Sequence, residues 1–73
     1  MEEELLYFFT VEAFYETIND WKVVKLITCR ESEAEDAKTR CEGIQKLWIT
    51  KGWDPKKIRV EESKQTRRTN INP

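Results

Sequence analysis

The sequence contains no histidine, two cysteines and two glycines among its 73 residues. Nucleophilic catalysis needs a base beside the nucleophile, and the only reactive candidates here are Cys29 and Cys41. A structural zinc site would have to take carboxylates for half of its ligands, which such sites rarely use. Gly43 and Gly52 alone cannot form a glycine-rich phosphate loop or a dinucleotide fingerprint. We therefore expect no enzyme activity, no metal and no cofactor.

Long apolar runs and export signals are also lacking. No run approaches the ~18 residues that a membrane-spanning helix requires, and no signal peptide or lipidation motif is visible. Two cysteines are far fewer than a disulfide scaffold carries, so Cys29 and Cys41 are expected to stay reduced. These absences predict a soluble, cytoplasmic protein without a membrane partner.

Charged residues are abundant, at 37% of the chain, and they are unevenly distributed. Residues 1–36 carry ten acidic residues against three basic ones, whereas residues 37–73 carry ten basic residues against four acidic ones. The net charge of the whole chain is −1. Such asymmetry is typical of a charged interaction surface or tail, unless the fold intermixes the two halves.

The first apolar segment begins at residue 5, where five bulky apolar residues follow one another. The odd positions from Leu5 to Tyr15 are all apolar, while the even positions are mixed. This period of two predicts a long strand with one fully buried face. Asn19-Asp20 predicts a two-residue hairpin turn, and a second strand is expected from about Trp21 to Cys29.

A tight turn at Asn19-Asp20 determines which residues of the two strands face each other. The core face would then pair Tyr15 with Val24, Ala13 with Leu26 and Val11 with Thr28. A bulge near Glu12 or Phe14 would shift this register and exchange the two faces.

A helix is predicted next, because Ser32 followed by Glu35 matches a capping box. Gly52 and Pro55 predict its end. Gly43 inside it is unfavourable by about 1 kcal/mol relative to alanine, and close approach to the sheet is one possible reason for it. The apolar stripe of this helix comprises Ala34, Ala37, Cys41, Ile44, Leu47 and Trp48.

An edge strand is predicted over Lys56–Glu62, with Ile58 and Val60 on one face. The polar stretch 63–73 predicts a disordered basic tail behind a single domain over residues 1–62. A right-handed crossover through the helix, with the most apolar strand in the centre, gives the strand order 2-1-3. The predicted fold is α+β, with the element order β-β-α-β and a three-stranded antiparallel sheet covered by one helix on one face.

The sheet face away from the helix retains more apolar surface than a monomer normally leaves exposed. We therefore expect a protein-interaction module that binds another protein or forms a homodimer. An alternative is that Phe14 and Trp21 fold back over the protein's own core. The candidate interaction residues are Leu6, Phe8, Phe14, Trp21, Val23 and Ile27.

Nucleic-acid binding is the second functional reading, because basic residues surround an aromatic residue in the last third of the chain. Such a group can neutralise phosphates and stack on a base. The slightly acidic chain and the absence of a recognition motif argue against it. The candidate residues are Lys51, Trp53, Lys56, Lys57, Arg59, Arg67 and Arg68.

The general character of the chain, which is very small, rich in lysine and glutamate, and has three tryptophans and a polar C-terminal stretch, resembles the small accessory proteins of bacterial and archaeal viruses. Those proteins bind a host protein and inhibit or redirect it. The resemblance transfers no site. It implies an inhibitor or adaptor that acts in a host cytoplasm on a host protein.

Overall fold

The computed structural model describes residues 2–69, with side chains from residue 3 to residue 66. The elements are β1 (Glu2–Tyr15), β2 (Asp20–Arg30), α1 (Ala34–Thr50) and β3 (Ile58–Thr69), with 3₁₀ turns at Glu31–Glu33 and Pro55–Lys57. The strands are all antiparallel to their neighbours, in the order β2-β1-β3. The predicted α+β fold and its strand order are confirmed. No helix within residues 2–69 is long and apolar enough to cross a membrane.

The core lies between α1 and one face of β1. The alternation of β1 turns every second side chain toward the helix, and four of these side chains are buried. Ala37 and Cys41 of α1 and Ile58 of β3 complete the buried set. Leu47, expected on the apolar stripe of the helix, is instead 52% exposed. The buried residues of β1 are Tyr7, Phe9, Val11 and Ala13.

The two ends of α1 differ in how well the sequence predicts them. The capping box at Ser32 is wrong: the chain forms a 3₁₀ turn there, and Glu33 occupies the N-cap without a side-chain hydrogen bond. At the other end, Gly52 takes a φ of 104° and donates its N–H to the Ile49 carbonyl at 3.0 Å. The Trp53 N–H donates to the Trp48 carbonyl at 3.0 Å. These two bonds form a Schellman motif, as the glycine predicts.

The hairpin between β1 and β2 is looser than expected. Tyr15 pairs with Asp20, so four residues form the turn, and Asn19 takes the positive φ of 52°. An irregularity leaves Val24 without a partner on β1, so Val24 and Lys25 both point toward the helix side. The bulge that would exchange the faces is therefore present, although the extra residue lies on β2.

β3 is longer than its apolar residues suggest. Ser63 pairs with Phe8 and Thr69 pairs with Glu2, so residues 63–69 of the expected tail belong to the sheet. Residues 70–73 lie outside the described part of the chain. The register sets Arg68 opposite Glu3 and Arg67 opposite Glu4, and opposite charges in directly opposed positions favour pairing.

The fold intermixes the acidic and basic halves of the chain. Arg59 lies 2.7 Å from Glu12, and Lys57 pairs with Glu16. Both contacts join the basic second half to the acidic first half. Part of the charge asymmetry of the sequence is therefore offset by ion pairs between its two halves.

Candidate protein-interaction surface

The sheet face turned away from α1 is called the open face here. It consists of the even residues of β1 and the residues directly opposite them, since opposed residues in an antiparallel sheet point to the same side. The fold consists of one sheet and one helix and is 14 Å thick in its shortest dimension, so no second layer covers this face within the described chain. The open-face residues with described side chains are Glu4, Leu6, Phe8, Thr10, Glu12 and Phe14 of β1, Trp21, Val23, Leu26, Thr28 and Arg30 of β2, and Arg59, Glu61, Ser63 and Gln65 of β3. Glu4 and Arg30 form an ion pair at 2.7 Å at the end of the face opposite Trp21.

One end of the open face is covered by its own side chains. Phe14 and Trp21 meet edge to face, with ring centroids 5.5 Å apart. The Arg59 guanidinium carbon lies 4.0 Å from the Trp21 ring centroid, and Arg59 Nε donates to Glu12 Oε1 at 2.7 Å. These four residues are called the Trp21 cluster. A cation–π contact and an ion pair together hold the Arg59 side chain over the Trp21 ring.

Beyond the Trp21 cluster, the open face carries four apolar side chains among polar ones. Val23 and Leu26 are each 55% exposed, which is high for large aliphatic side chains. Leu6 and Phe8 are partly exposed on the central strand. Phe8 is flanked by Thr28 and Ser63, neither of which is large enough to cover a phenyl ring. These four apolar residues form the open patch.

The predicted interaction residues are placed as follows. Five of the six lie on the open face, but Phe14 and Trp21 belong to its self-covered end. The assignment of Ile27 is wrong: it is opposite Phe9 on the helix side and packs against the core. Leu26, which was expected in the core, lies opposite Thr10 on the open face instead. The bulge at Val24 causes both changes, because it shifts the alternation of β2 by one residue.

The sequence carries no local signal for this bulge. Strict alternation would already place Val23 and Val24 on opposite faces, so the pair of valines does not distinguish a regular strand from a bulged one. The bulge changes the face only of Lys25 and of the residues after it, including Leu26 and Ile27, and their positions depend on pairing with β1.

The residues considered for nucleic-acid binding do not share one surface. Lys57 and Arg59 are engaged with carboxylates. Trp53 packs against Trp48 at 5.0 Å and donates its indole N–H to the Lys57 carbonyl at 2.7 Å. Lys51 and Lys56 are exposed near the end of α1.

Arg67 and Arg68 are remote from those residues. Their side chains lie outside the described part, but their backbone is placed far along β3. At ~3.3 Å per residue they are about 27 Å from Arg59. The basic residues are therefore divided between two ends of the sheet.

The two thiols lie on the helix side. Burial raises the pKa of the Cys41 thiol. The nearby positive charge of Lys25 lowers this pKa, but by less than burial raises it. Partial burial, followed by the charges of Glu33 and Asp36, raises the pKa of Cys29. Both thiols are therefore protonated near pH 7 and weakly nucleophilic. Among the described residues, no three Cys, Asp or Glu side chains are grouped so that they could hold a metal ion.

No family relationship supplies a role for these surfaces. Comparisons with protein-family models, with curated proteins and with solved structures identify no match to this chain. What the open patch can bind follows from its own chemistry, which is aliphatic and aromatic, flanked by small hydroxyl side chains and bordered by the charged Trp21 cluster.

Proposed function

We propose that the chain is a non-enzymatic protein-interaction module, a small inhibitor or adaptor, that uses its open patch to bind another protein or a second copy of itself. The observation that carries this proposal is the exposure of Val23 and Leu26 beside Leu6 and Phe8. Contiguous apolar surface of this kind marks interaction sites in soluble proteins. The free thiols Cys29 and Cys41 suit action in a reducing compartment.

The size of the open face supports a modest interface. Three strands spaced ~4.8 Å apart and paired over about 36 Å present roughly 500 Å² on one side. Stable interfaces bury about 800 Å² per partner, and weaker, transient complexes bury less. A single copy is therefore expected to bind reversibly, with the open patch as an apolar centre and the Trp21 cluster at its rim.

Photo-cross-linking from the open patch tests the proposal. Benzoylphenylalanine replaces Phe8 in one variant and Thr39 in a matched control. Thr39 is exposed on α1, far from the open face. In cells that produce the chain naturally, position 8 is expected to give one dominant adduct, either with a single other protein or with a second copy. Position 39 is expected to give none.

A charge substitution provides the second measurement. Phe8→Glu should abolish the position-specific complex while leaving the circular dichroism spectrum unchanged, because Phe8 is not in the core. Equal adduct patterns from positions 8 and 39, or a complex that survives Phe8→Glu, would contradict the proposal.

A further inference from the structure

The two outer edges of the sheet are unlike each other. On β3, charges of both signs interact along the strand: Arg59 lies 3.9 Å from Glu61, and Lys64 lies 3.9 Å from Glu62. Such an edge discourages further pairing. β2 has no strand on its outer side within the described chain. Its segment from residue 25 to residue 30 reads Lys-Leu-Ile-Thr-Cys-Arg, with four uncharged residues in its centre.

An apolar groove runs along the helix side of the β2 edge. Its volume is about 480 Å³, and Ile27, Ile44 and Leu47 supply its apolar walls, with Lys25 and Arg40 as its charged residues. Leu47 is 52% exposed above it. Val23 and Leu26 are exposed on the opposite side of the same strand. Both sides of this edge are therefore apolar, as an added strand requires for its alternating side chains.

On the helix side, the charges along this edge change sign from one end to the other, whereas Arg30 lies on the open face and pairs with Glu4 at 2.7 Å. Lys25 and Arg40 are cationic and lie at the groove. Glu33 and Asp36 are close enough to Cys29 to influence its thiol. Cys29 and Lys25 stand at equal distances on either side of Ile27. The edge is therefore complementary to itself when it is turned by 180° about Ile27.

We propose that two copies of this chain pair antiparallel through the outer edges of β2, around a two-fold axis at Ile27. In this register Ile27 lies opposite Ile27 of the other copy, Lys25 opposite Cys29, and Leu26 opposite Thr28. Each opposed pair shares a side of the sheet, because Lys25, Ile27 and Cys29 all belong to the helix side. Each lysine then comes to lie beside the Glu33 and Asp36 carboxylates of the other copy.

The geometry of such a dimer is feasible. The two β1 strands are separated by three inter-strand steps, or ~14 Å. The two helices above them, each ~10–12 Å in diameter, fit side by side, and the two apolar grooves face each other between them. Five residues of each copy pair, which is close to the usual strand length. The bulge at Val24 limits the pairing at both ends.

The dimer extends the site proposed above without depending on it. A six-stranded sheet would present roughly 1,000 Å² of open face, at the same strand spacing of ~4.8 Å. That area is in the class of stable interfaces. The edge contact does not involve Phe8, so its failure and the failure of the open patch can be told apart.

Engineered disulfides test the register in the full-length chain. Directly opposed residues have Cβ atoms ~4.5–5.5 Å apart, near the separation that a disulfide needs. Under mild oxidation, Ile27→Cys in a Cys29→Ser background should give a covalent dimer, whereas Thr28→Cys in the same background should not. Lys25→Cys should cross-link to the native Cys29 of the other copy, and additional replacement of Cys29 by serine should abolish that product. Equal yields at positions 27 and 28, or no covalent dimer from either position 25 or position 27, would overturn the proposal.

Sedimentation of reduced protein tests the charge pattern. Lys25→Glu should weaken the dimer by about tenfold or more, because it sets like charges together. Combining it with Glu33→Lys and Asp36→Lys should restore dimerisation. Phe8→Glu should leave the edge dimer intact. A dimer unaffected by Lys25→Glu, or one lost with Phe8→Glu, would refute the edge contact.

Discussion

The two faces of β1 are built from alternate residues of one strand, and only one of them is covered by the chain. Phe9 is 1% exposed beneath α1. Its neighbour Phe8 is partly exposed on the open face. The same residue type thus has two environments one position apart, determined by the side on which the helix packs. A strand that is apolar on both faces carries more hydrophobic surface than one helix can cover.

The uncovered face is itself divided. In the Trp21 cluster, an arginine and a second aromatic ring cover the indole. In the open patch, Val23 and Leu26 have only small or charged residues opposite them across the sheet. The open face is therefore neither a second core nor a uniformly apolar surface. One end of it is covered by the side chains of the Trp21 cluster, whereas the side chains of the open patch remain exposed.

The largest expected effect separates the two faces of β1. Phe9→Ala should lower the free energy of unfolding by about 3–5 kcal/mol, since it empties a fully packed site. The matched Phe8→Ala should cost less, about 1–2 kcal/mol, because its ring is partly exposed. Urea unfolding followed by circular dichroism measures both. Equal losses would show that the open face is as well packed as the core.

Substitutions of the two glycines test the structure of helix α1. Gly43→Ala should stabilise the protein by up to about 1 kcal/mol, because a helix-interior glycine is unfavourable and a Cβ there meets nothing within 4 Å. Close approach to the sheet, which the sequence offered as one reason for Gly43, is not the reason in this fold. Gly52→Ala should destabilise by about 1–2 kcal/mol, because its φ of 104° is strained for alanine. Thermal melts of both variants should move in opposite directions. A shift of the same sign would contradict the assigned helix end.

The Trp21 cluster provides the third comparison. Arg59→Ala should cost about 1 kcal/mol, since it removes one ion pair and one cation–π contact. Arg40→Ala is the matched control: its Nε is 3.8 Å from Asp36 and both side chains are mostly exposed, so no measurable loss is expected. A double-mutant cycle of Arg59 with Trp21 should give a coupling of about 0.5–1 kcal/mol. Zero coupling would mean that the arginine does not cover the indole in solution.

The smallest effect concerns the pKa of the buried Cys41. A thiol whose pKa is raised in the folded state adds stability below the unfolded-state pKa, and that contribution is lost as the pH rises through the folded-state pKa. Its ordinary pKa is 9.0. As the pH rises through and above 9.0, wild type should therefore lose more unfolding free energy than Cys41→Ala. Parallel pH profiles would show that Cys41 is not kept neutral by burial.

Some of the fold could be predicted from the sequence for simple physical reasons. The odd residues of β1 and the spacing of Ala37 and Cys41 follow the periods of strand and helix. Gly52 marks the helix end because few other residues take a positive φ. The central position of β1 follows because the most apolar strand takes the position with a neighbour on each side.

The missed parts depend on pairing between distant residues. Nothing local distinguishes a two-residue turn at Asn19-Asp20 from a four-residue turn ending at Asn19. The bulge at Val24 then moves Ile27 and Leu26 to opposite faces. The polar stretch after Glu62 joins the sheet because β1 extends to Glu2 and offers a partner for its backbone. This additional pairing is stabilised by inter-strand hydrogen bonds between backbone groups. The periodicity of apolar residues gives no information on such bonds.

The pairing of Glu2 with Thr69 means that the described chain enters and leaves the domain at a single corner. Its two ends are one strand spacing apart, or ~4.8 Å. A short connector could therefore close the chain into a circle, and new ends could be opened at the Glu16–Asn19 turn at the opposite end of the sheet. The whole unit could equally be carried within a loop of a larger protein. In either arrangement the attachment would lie at the end of the sheet far from Val23 and Trp21.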